Sequence, residues 1–343
     1  MHPEVKYSLL ILLYAVKNYK IYNYSIQYII NIVYRNIVTI LYIWVNQQDK
    51  LLLFNNNNNK SSETTSNNTN ILYKKEISKH ISKHKKPLND NELGYYLAGL
   101  IDGNSDFSKG YLIITYNIKD KSIAYWLKSQ INYGSISNIN NKNIIKYVIS
   151  NSKGILKVLE LINGKLKLES KYNEILNNVL LINDLKYDNF IIDKTNDFNN
   201  YWLSGFLDSY DLLKINIINN VLNIQIIHKD IYILNKIQYF LCNNNNNNNG
   251  CIISIVSPPL VLPMLKQGYT GGIDNNHNIY SLEIASLQLI KNVICYLNKY
   301  PLLSYKYLNY VYFYKIYILI KNKEYLNEKG ILKIKRYKDK MIN

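Results

Sequence analysis

Two stretches of this 343-residue chain carry acidic side chains at the end of a small-residue run. The first is Leu97-Ala98-Gly99-Leu100-Ile101-Asp102-Gly103-Asn104-Ser105, with Asp106 just beyond it. The second is Leu203-Ser204-Gly205-Phe206-Leu207-Asp208-Ser209-Tyr210-Asp211. Carboxylates brought together at two such ends can hold a hard divalent cation through oxygen ligands. A second match lies downstream: Asn163, Lys171 and Tyr172 have the same mutual spacing as Asn298, Lys306 and Tyr307. Two internal matches in one chain read as a duplication that forms a pseudo-dimer rather than a solenoid.

The elements that must position these residues follow from the pattern. Asp90 or Asn91 can cap a helix from Glu92 to about Asp102. Tyr111–Asn117 alternates as a strand, Ile118–Ile131 fits a helix capped by Asp120, and 134–139 with 143–150 form a hairpin about Asn140-Asn141. Helical spacing returns at 152–162 and 171–181. The order recurs as a helix at 199–208, strands at 212–218 and 221–227, a helix at 229–241, strands at 251–256 and 279–284, a helix at 286–297 and a long helix from Ser304. Each predicted helix and strand set is of a size that two domains, or one pseudo-symmetric domain plus a tail, can hold.

Composition narrows the partner. The formal net charge is +17, a field that suits a polyanion such as nucleic acid and gives no sign of a small-molecule substrate. Arginine occurs only at Arg35 and Arg336, and tyrosine 34 times, so AT-rich codon usage accounts for part of the lysine excess. Cys242, Cys251 and Cys295 form no C-x-x-C pair and have no histidine at zinc spacing, which favours a reduced compartment and no zinc site.

The first stretch spells all but the end of the LAGLIDADG signature and the second is a looser copy, so the chain resembles a monomeric member of the LAGLIDADG family of intron-encoded homing endonucleases and group I intron maturases. The resemblance implies an α+β fold of two pseudo-symmetric αββαββα repeats forming a saddle, repeat 1 over 91–185 and repeat 2 over 198–340 with insertions near 243–250 and 257–273. It implies that the two motif helices pack at the pseudo-twofold axis, where Ala98, Gly99, Ser204 and Gly205 let the backbones approach. It also implies that Mg²⁺ bound between the helix ends activates water for phosphodiester cleavage. The eighth motif position, which in the family supplies the metal-binding acid, holds Asn104 and Tyr210, neither negative at neutral pH. Asp106 and Asp211 lie close enough in sequence to stand in as metal ligands beside Asn104 after a register shift. Lys171 and Lys306 match the family's lysines beside the scissile phosphates, where a cation stabilises developing charge. Lys306 lies in a run, from Lys299 to Tyr310, typical of mitochondrial members. The resemblance further implies that the strands read DNA through the major groove, with Tyr116, Asn138, Asn140, Lys142 and Lys146, then Lys214, Asn216, Asn223 and Gln225, as contacts. The expectation is an intron product of the mitochondrial matrix that acts on group I intron RNA as a splicing maturase, or a relic with weak or absent cleavage. The alternative is an active endonuclease on double-stranded DNA.

Residues 1–90 read as an apolar segment followed by a basic linker. His2-Pro3-Glu4-Val5 resembles a run in cytochrome c oxidase subunit I, as an exon remnant would. The stretch from Ile26 to Val45 has the length of a membrane span, but Asn31, Arg35 and Asn36 interrupt its middle, so membrane contact at 26–45 is not favoured. The polar tract at 55–70 cannot bury enough apolar surface to fold. His80 and His84, four apart in a lysine-rich run, have no third ligand in view and read as part of a solvated linker.

Overall fold

The computed structural model describes residues 77–139, 143–180, 190–209, 213–218, 221–242, 250–256 and 279–341. The expectations for residues 1–76 and for the insertion at 257–273 lie outside the described residues.

Repeat 1 runs α1 (Asp90–Asn104), β1 (Ser105–Ser108), β2 (Tyr111–Asn117), a 3₁₀ turn (Ile118–Asp120), α2 (Lys121–Ile131), β3 (Ser135–Asn138), β4 (Ile144–Ile149), α3 (Ser152–Ile162) and α4 (Glu169–Ile175). Repeat 2 runs α5 (Trp202–Asp208), β5 (Leu213–Ile218), β6 (Val221–His228), α6 (Ile231–Cys242), β7 (Cys251–Val256), β8 (Ile279–Ile284), α7 (Leu287–Lys299), α8 (Lys306–Lys321) and α9 (Glu328–Lys338). The α+β duplication is therefore present. Each repeat builds one antiparallel four-stranded sheet, in the orders β1-β2-β4-β3 and β5-β6-β8-β7.

Several local details differ from the sequence pattern, each for a physical reason. Asn89 caps α1, its side chain accepting the Glu92 N–H at 2.9 Å. The short strand β1 escapes periodicity because its turn is Lys109-Gly110, both with positive φ, a two-residue hairpin turn that lacks the usual Asn-Gly signal. Asp120 precedes α2 without capping it, because its carboxylate accepts the Tyr305 N–H of the other repeat at 2.8 Å. The long C-terminal helix breaks after Lys321 into α8 and α9. Cys242 and Cys251 are joined in a disulfide that closes the asparagine tract between α6 and β7, a pairing that tract hides from spacing rules. The linker expected to end at residue 90 is an extended strap from Ile77 onward. Tyr314 on α8 donates its hydroxyl to the Ser78 carbonyl at 2.6 Å, and the His84 ring lies 4.1 Å from that of Tyr307. His84 Nε2 donates to the Leu302 carbonyl at 2.8 Å, so His80 and His84 share no helix face.

One face of each sheet is buried under helices. Leu112, Ile114 and Tyr116 of β2 and Ile145, Tyr147 and Ile149 of β4 fill the first; Leu222, Ile224 and Ile226 of β6 and Leu282 and Ile284 of β8 fill the second. The two cores are continuous through α1 and α5. At that crossing a Cβ on Gly99 would sit 1.9 Å from the Trp202 carbonyl oxygen, and one on Gly205 would sit 2.0 Å from the Tyr96 carbonyl oxygen. No side chain fits there, and the clashing atoms are rigid helix backbone. Gly99→Ala or Gly205→Ala must push the helices apart along their whole contact, and each is expected to lower unfolding free energy by about 3 kcal/mol, measured by urea denaturation.

Candidate functional site at the crossing of the motif helices

The motif aspartates are buried, with Asp102 and Asp208 each about 2% exposed or less. Asp102 accepts the Lys167 N–H at 2.7 Å, the Leu168 N–H at 3.3 Å and the indole Nε1–H of Trp202 at 2.9 Å. Asp208 accepts the Tyr96 hydroxyl at 2.9 Å, the N–H groups of Leu303 and Ser304 at 2.6 and 3.3 Å, and the Ser304 hydroxyl. The arrangement is pseudo-symmetric. Tyr96 and Trp202 each immediately precede a motif, and each donates across the crossing to the other motif's aspartate. Both aspartates also hold the segment that leads into the lysine helix of their own repeat.

Those lysines are buried too. Lys171, on α4, donates to the Ser105 carbonyl at 2.6 Å and pairs with Glu174 at 2.8 Å. Lys306, first residue of α8, donates to the Leu207 and Ser209 carbonyls at 2.9 and 2.6 Å. Each ammonium thus sits at the C-terminal end of its own motif helix, where free carbonyls and the helix dipole favour a cation.

Asn104 ends α1 and is partly exposed. Asp106 lies on β1 opposite Ile113, on the sheet face away from the helices. Tyr210 and Asp211 lie outside the described residues. Among the described residues no three histidine, cysteine or acidic side chains are close enough to hold a metal ion. The donor chemistry explains why Asp102 and Asp208 do not serve: a carboxylate has about four lone-pair positions, and N–H or O–H donors already take most or all of them. The described helix-end carboxylates Asp102 and Asp208 therefore do not fit Mg²⁺.

The predicted contact residues divide by strand parity. Lys146 lies on the open face of the first sheet, opposite Thr115 and Ser137. Lys214, Asn216, Asn223 and Gln225 share the open face of the second, paired as Lys214–Gln225 and Asn216–Asn223. Gln225 Nε2 donates to Ser281 Oγ at 2.9 Å and stands opposite Glu283. Tyr116 is a correction. Its parity places it on the helix-covered face, 2% exposed, and its hydroxyl is buried without a partner, so it cannot touch a base edge. Asn138 is exposed but at the end of β3, on the parity of buried Ile145. Asn140 and Lys142 lie outside the described residues. Sequence reading missed Glu283 on the open face of the second sheet, which only the observed register identifies. The strands as a set are electrically balanced, Lys146 and Lys214 against Asp106 and Glu283, with His228 kept neutral because burial pushes its imidazole down to about 4.

Buried carboxyls give the crossing a pH signature. Burial drives Asp102 up to about 7 against its three donors. Asp120 is raised to about 6 by burial, opposed by the Tyr305 N–H and reinforced by Asp208, and Asp208 is itself raised by burial. A carboxyl whose folded pKa exceeds its unfolded one stabilises the fold below the unfolded value and loses that contribution as pH rises through the folded value. Stability from these groups is therefore expected to fall between about pH 4 and pH 7. Asp120→Asn keeps an acceptor for Tyr305 and removes the titration. In thermal melts it is expected to flatten the decline between pH 4 and 6, by on the order of 2–3 kcal/mol.

Residues 261–317 match the family model for the LAGLIDADG endonuclease. Over 274 residues, 78% of each chain, the sequence is 35% identical to the uncharacterized cox1 intron-2 37.2 kDa protein of Schizosaccharomyces pombe. It is 27% identical over 275 residues to the intron-encoded DNA endonuclease aI3 of Saccharomyces cerevisiae, covering 68% of this chain and 65% of that one. Among solved structures, meganuclease I-SmaMI bound to uncleaveable DNA superposes with a TM-score of 0.53 at 16% identity, covering 75% of this chain and 99% of that one. That likeness is one of fold.

Proposed function

The chain belongs to the LAGLIDADG endonuclease family, and we propose that it is an intron-encoded member that binds nucleic acid without cutting it, acting as a group I intron maturase in the mitochondrion. The observation that carries this reading is the uncharged pair Asn104 and Tyr210 at the eighth motif positions, with Asp102 and Asp208 saturated by hydrogen-bond donors and so unable to stand in for them. With those carboxylates committed, and with Asn104 and Tyr210 at the eighth positions, the helix ends supply no free acid pair among the described residues. Hydrolysis of a phosphodiester needs such a pair, or a substitute, to hold the cation that makes a hydroxide at neutral pH. Binding needs neither. The mitochondrial setting rests on the likeness to a cox1 intron protein and on His2-Pro3-Glu4-Val5 at the start of the chain.

A maturase works by binding the folded RNA more tightly than its unfolded forms, which shifts the RNA toward the splicing-competent state. Both motif helices then serve as a rigid spine that fixes the spacing of the two sheets. Site-specific DNA cleavage is the second reading. The name of the S. cerevisiae relative favours it, as do Lys171 and Lys306 at the two helix ends.

The two readings part in one experiment. Purified protein is incubated with Mg²⁺ and either the intronless insertion-site DNA or the precursor RNA. The expected result is faster splicing, salt-sensitive RNA binding and no specific double-strand break. Efficient, site-specific cutting sinks the maturase reading. The paired substitution Asn104→Asp with Tyr210→Asp is expected to gain measurable DNA nicking over a wild-type baseline of none.

A further inference from the structure

Balanced charge on the strands leaves open where a chain of net charge +17 meets a polyanion. On the described surface, positive charge clusters on the strap at 77–88 and on α9, and α9 holds its cluster on a helix docked to the core. This helix carries Lys329, Lys333, Lys335, Arg336 and Lys338 against Glu328. Among the described residues only Lys333 of these has an acidic partner, Glu324 at 3.6 Å. Gly330 and Ile334 face inward, and Tyr337 stacks on Tyr312 of α8 at 6.2 Å with Lys315 over both rings. A Cβ on Gly330 would sit 1.8 Å from the Glu324 carbonyl oxygen, so the glycine lets α9 lie directly on the preceding turn. The outward face sets Leu332, 66% exposed, between Lys335 and Arg336, its neighbours at i+3 and i+4.

We propose that the outward face of α9 is a phosphate-binding surface for structured RNA, separate from the open faces of the two sheets. The proposal rests on the maturase reading above. Charge complementarity supports it: lysines and an arginine held on a docked helix match a backbone of closely spaced phosphates. RNA rather than a lipid surface or DNA is the committed occupant because Arg336 stands exposed among the lysines of this face. Unpaired RNA bases stack on a guanidinium plane, whereas a duplex keeps its bases inside. The helix also carries no stripe of bulky apolar residues beyond Ile331 and Leu332 to enter a bilayer.

The test uses the full chain with Lys335→Ala, Arg336→Ala and Lys338→Ala combined, residues that make no described ion pair. Binding is measured to a transcript of the intron that encodes the chain, to its insertion-site DNA and to vesicles with anionic headgroups. The expected result is at least a tenfold loss of RNA affinity, with the slope of log affinity against log salt smaller by about 2. Insertion-site DNA binding and melting temperature are expected to stay unchanged. A second variant, Gly330→Ala, undocks α9 without altering its charge and is expected to weaken RNA binding as well. Unchanged RNA affinity and salt slope in the triple variant overturn the proposal, as does an equal loss toward DNA or wild-type binding confined to vesicles. Wild-type protein that binds no intron RNA overturns the maturase reading itself, a failure distinguishable from wild-type binding that the triple variant leaves intact.

Discussion

Backbone contact between α1 and α5 is the constraint from which the rest of the fold follows. Helices with side chains at the crossing stand 8–10 Å apart. Here Gly99 and Gly205 each present bare backbone to a carbonyl of the other helix. That closeness is what allows Trp202 to reach Asp102 and Tyr96 to reach Asp208. Each aspartate then collects N–H groups from the segment before the lysine helix of its own repeat, so one small-residue contact fixes both sheets and both C-terminal helices of the duplication. A buried carboxylate is costly unless fully hydrogen-bonded. The aspartates meet that condition only because the helices touch.

The same wiring decides what the site can do. A metal-binding carboxylate must keep lone pairs open toward solvent, whereas a structural one gains by closing them. Asp102 and Asp208 are closed, and Lys171 and Lys306 are turned onto backbone carbonyls at the ends of the motif helices. In this arrangement the ends are well-satisfied caps. A family resemblance at the sixth motif position therefore speaks of architecture, and the eighth position speaks of cleavage.

Much of this was legible in the chain because packing leaves periodic traces. Strands β2, β7 and β8 and helix α3 have the bounds that alternation and helical spacing predict, and the family resemblance implied the glycine seam where the helices cross. What escaped depends on partners distant in sequence. Asp120 looks like a helix cap until Tyr305 of the other repeat takes its oxygen. Cys242 and Cys251 look unrelated in sequence, yet they are joined in a disulfide. Tyr116 looks like a contact on a strand face until the register turns it inward, a change of one residue that reverses every assignment on the strand. Asn163 and Asn298 share a spacing and a place after a helix, yet one accepts the Ile191 N–H and the other the Tyr310 hydroxyl. Spacing records common ancestry of position; it does not record the hydrogen bond.

Charge shows the same limit in another form. A whole-chain value of +17 suggests a positive saddle, but the strands sum to zero, and α9 and the strap at 77–88 together carry about half of the excess. On the strap Lys79, Lys83, Lys85 and Lys86 meet no acid of their own segment, and Lys86 lies over the Trp126 ring at 5.2 Å. Exposed charges beyond about 8–10 Å are screened at physiological salt, so each cluster acts chiefly on what lies close to it. The open face of the second sheet instead carries uncharged polar side chains such as Asn216 and Gln225 beside the opposed charges of Lys214 and Glu283. A duplicated scaffold in which binding charge and reading face are on different elements can keep one partner while losing the chemistry once done on another.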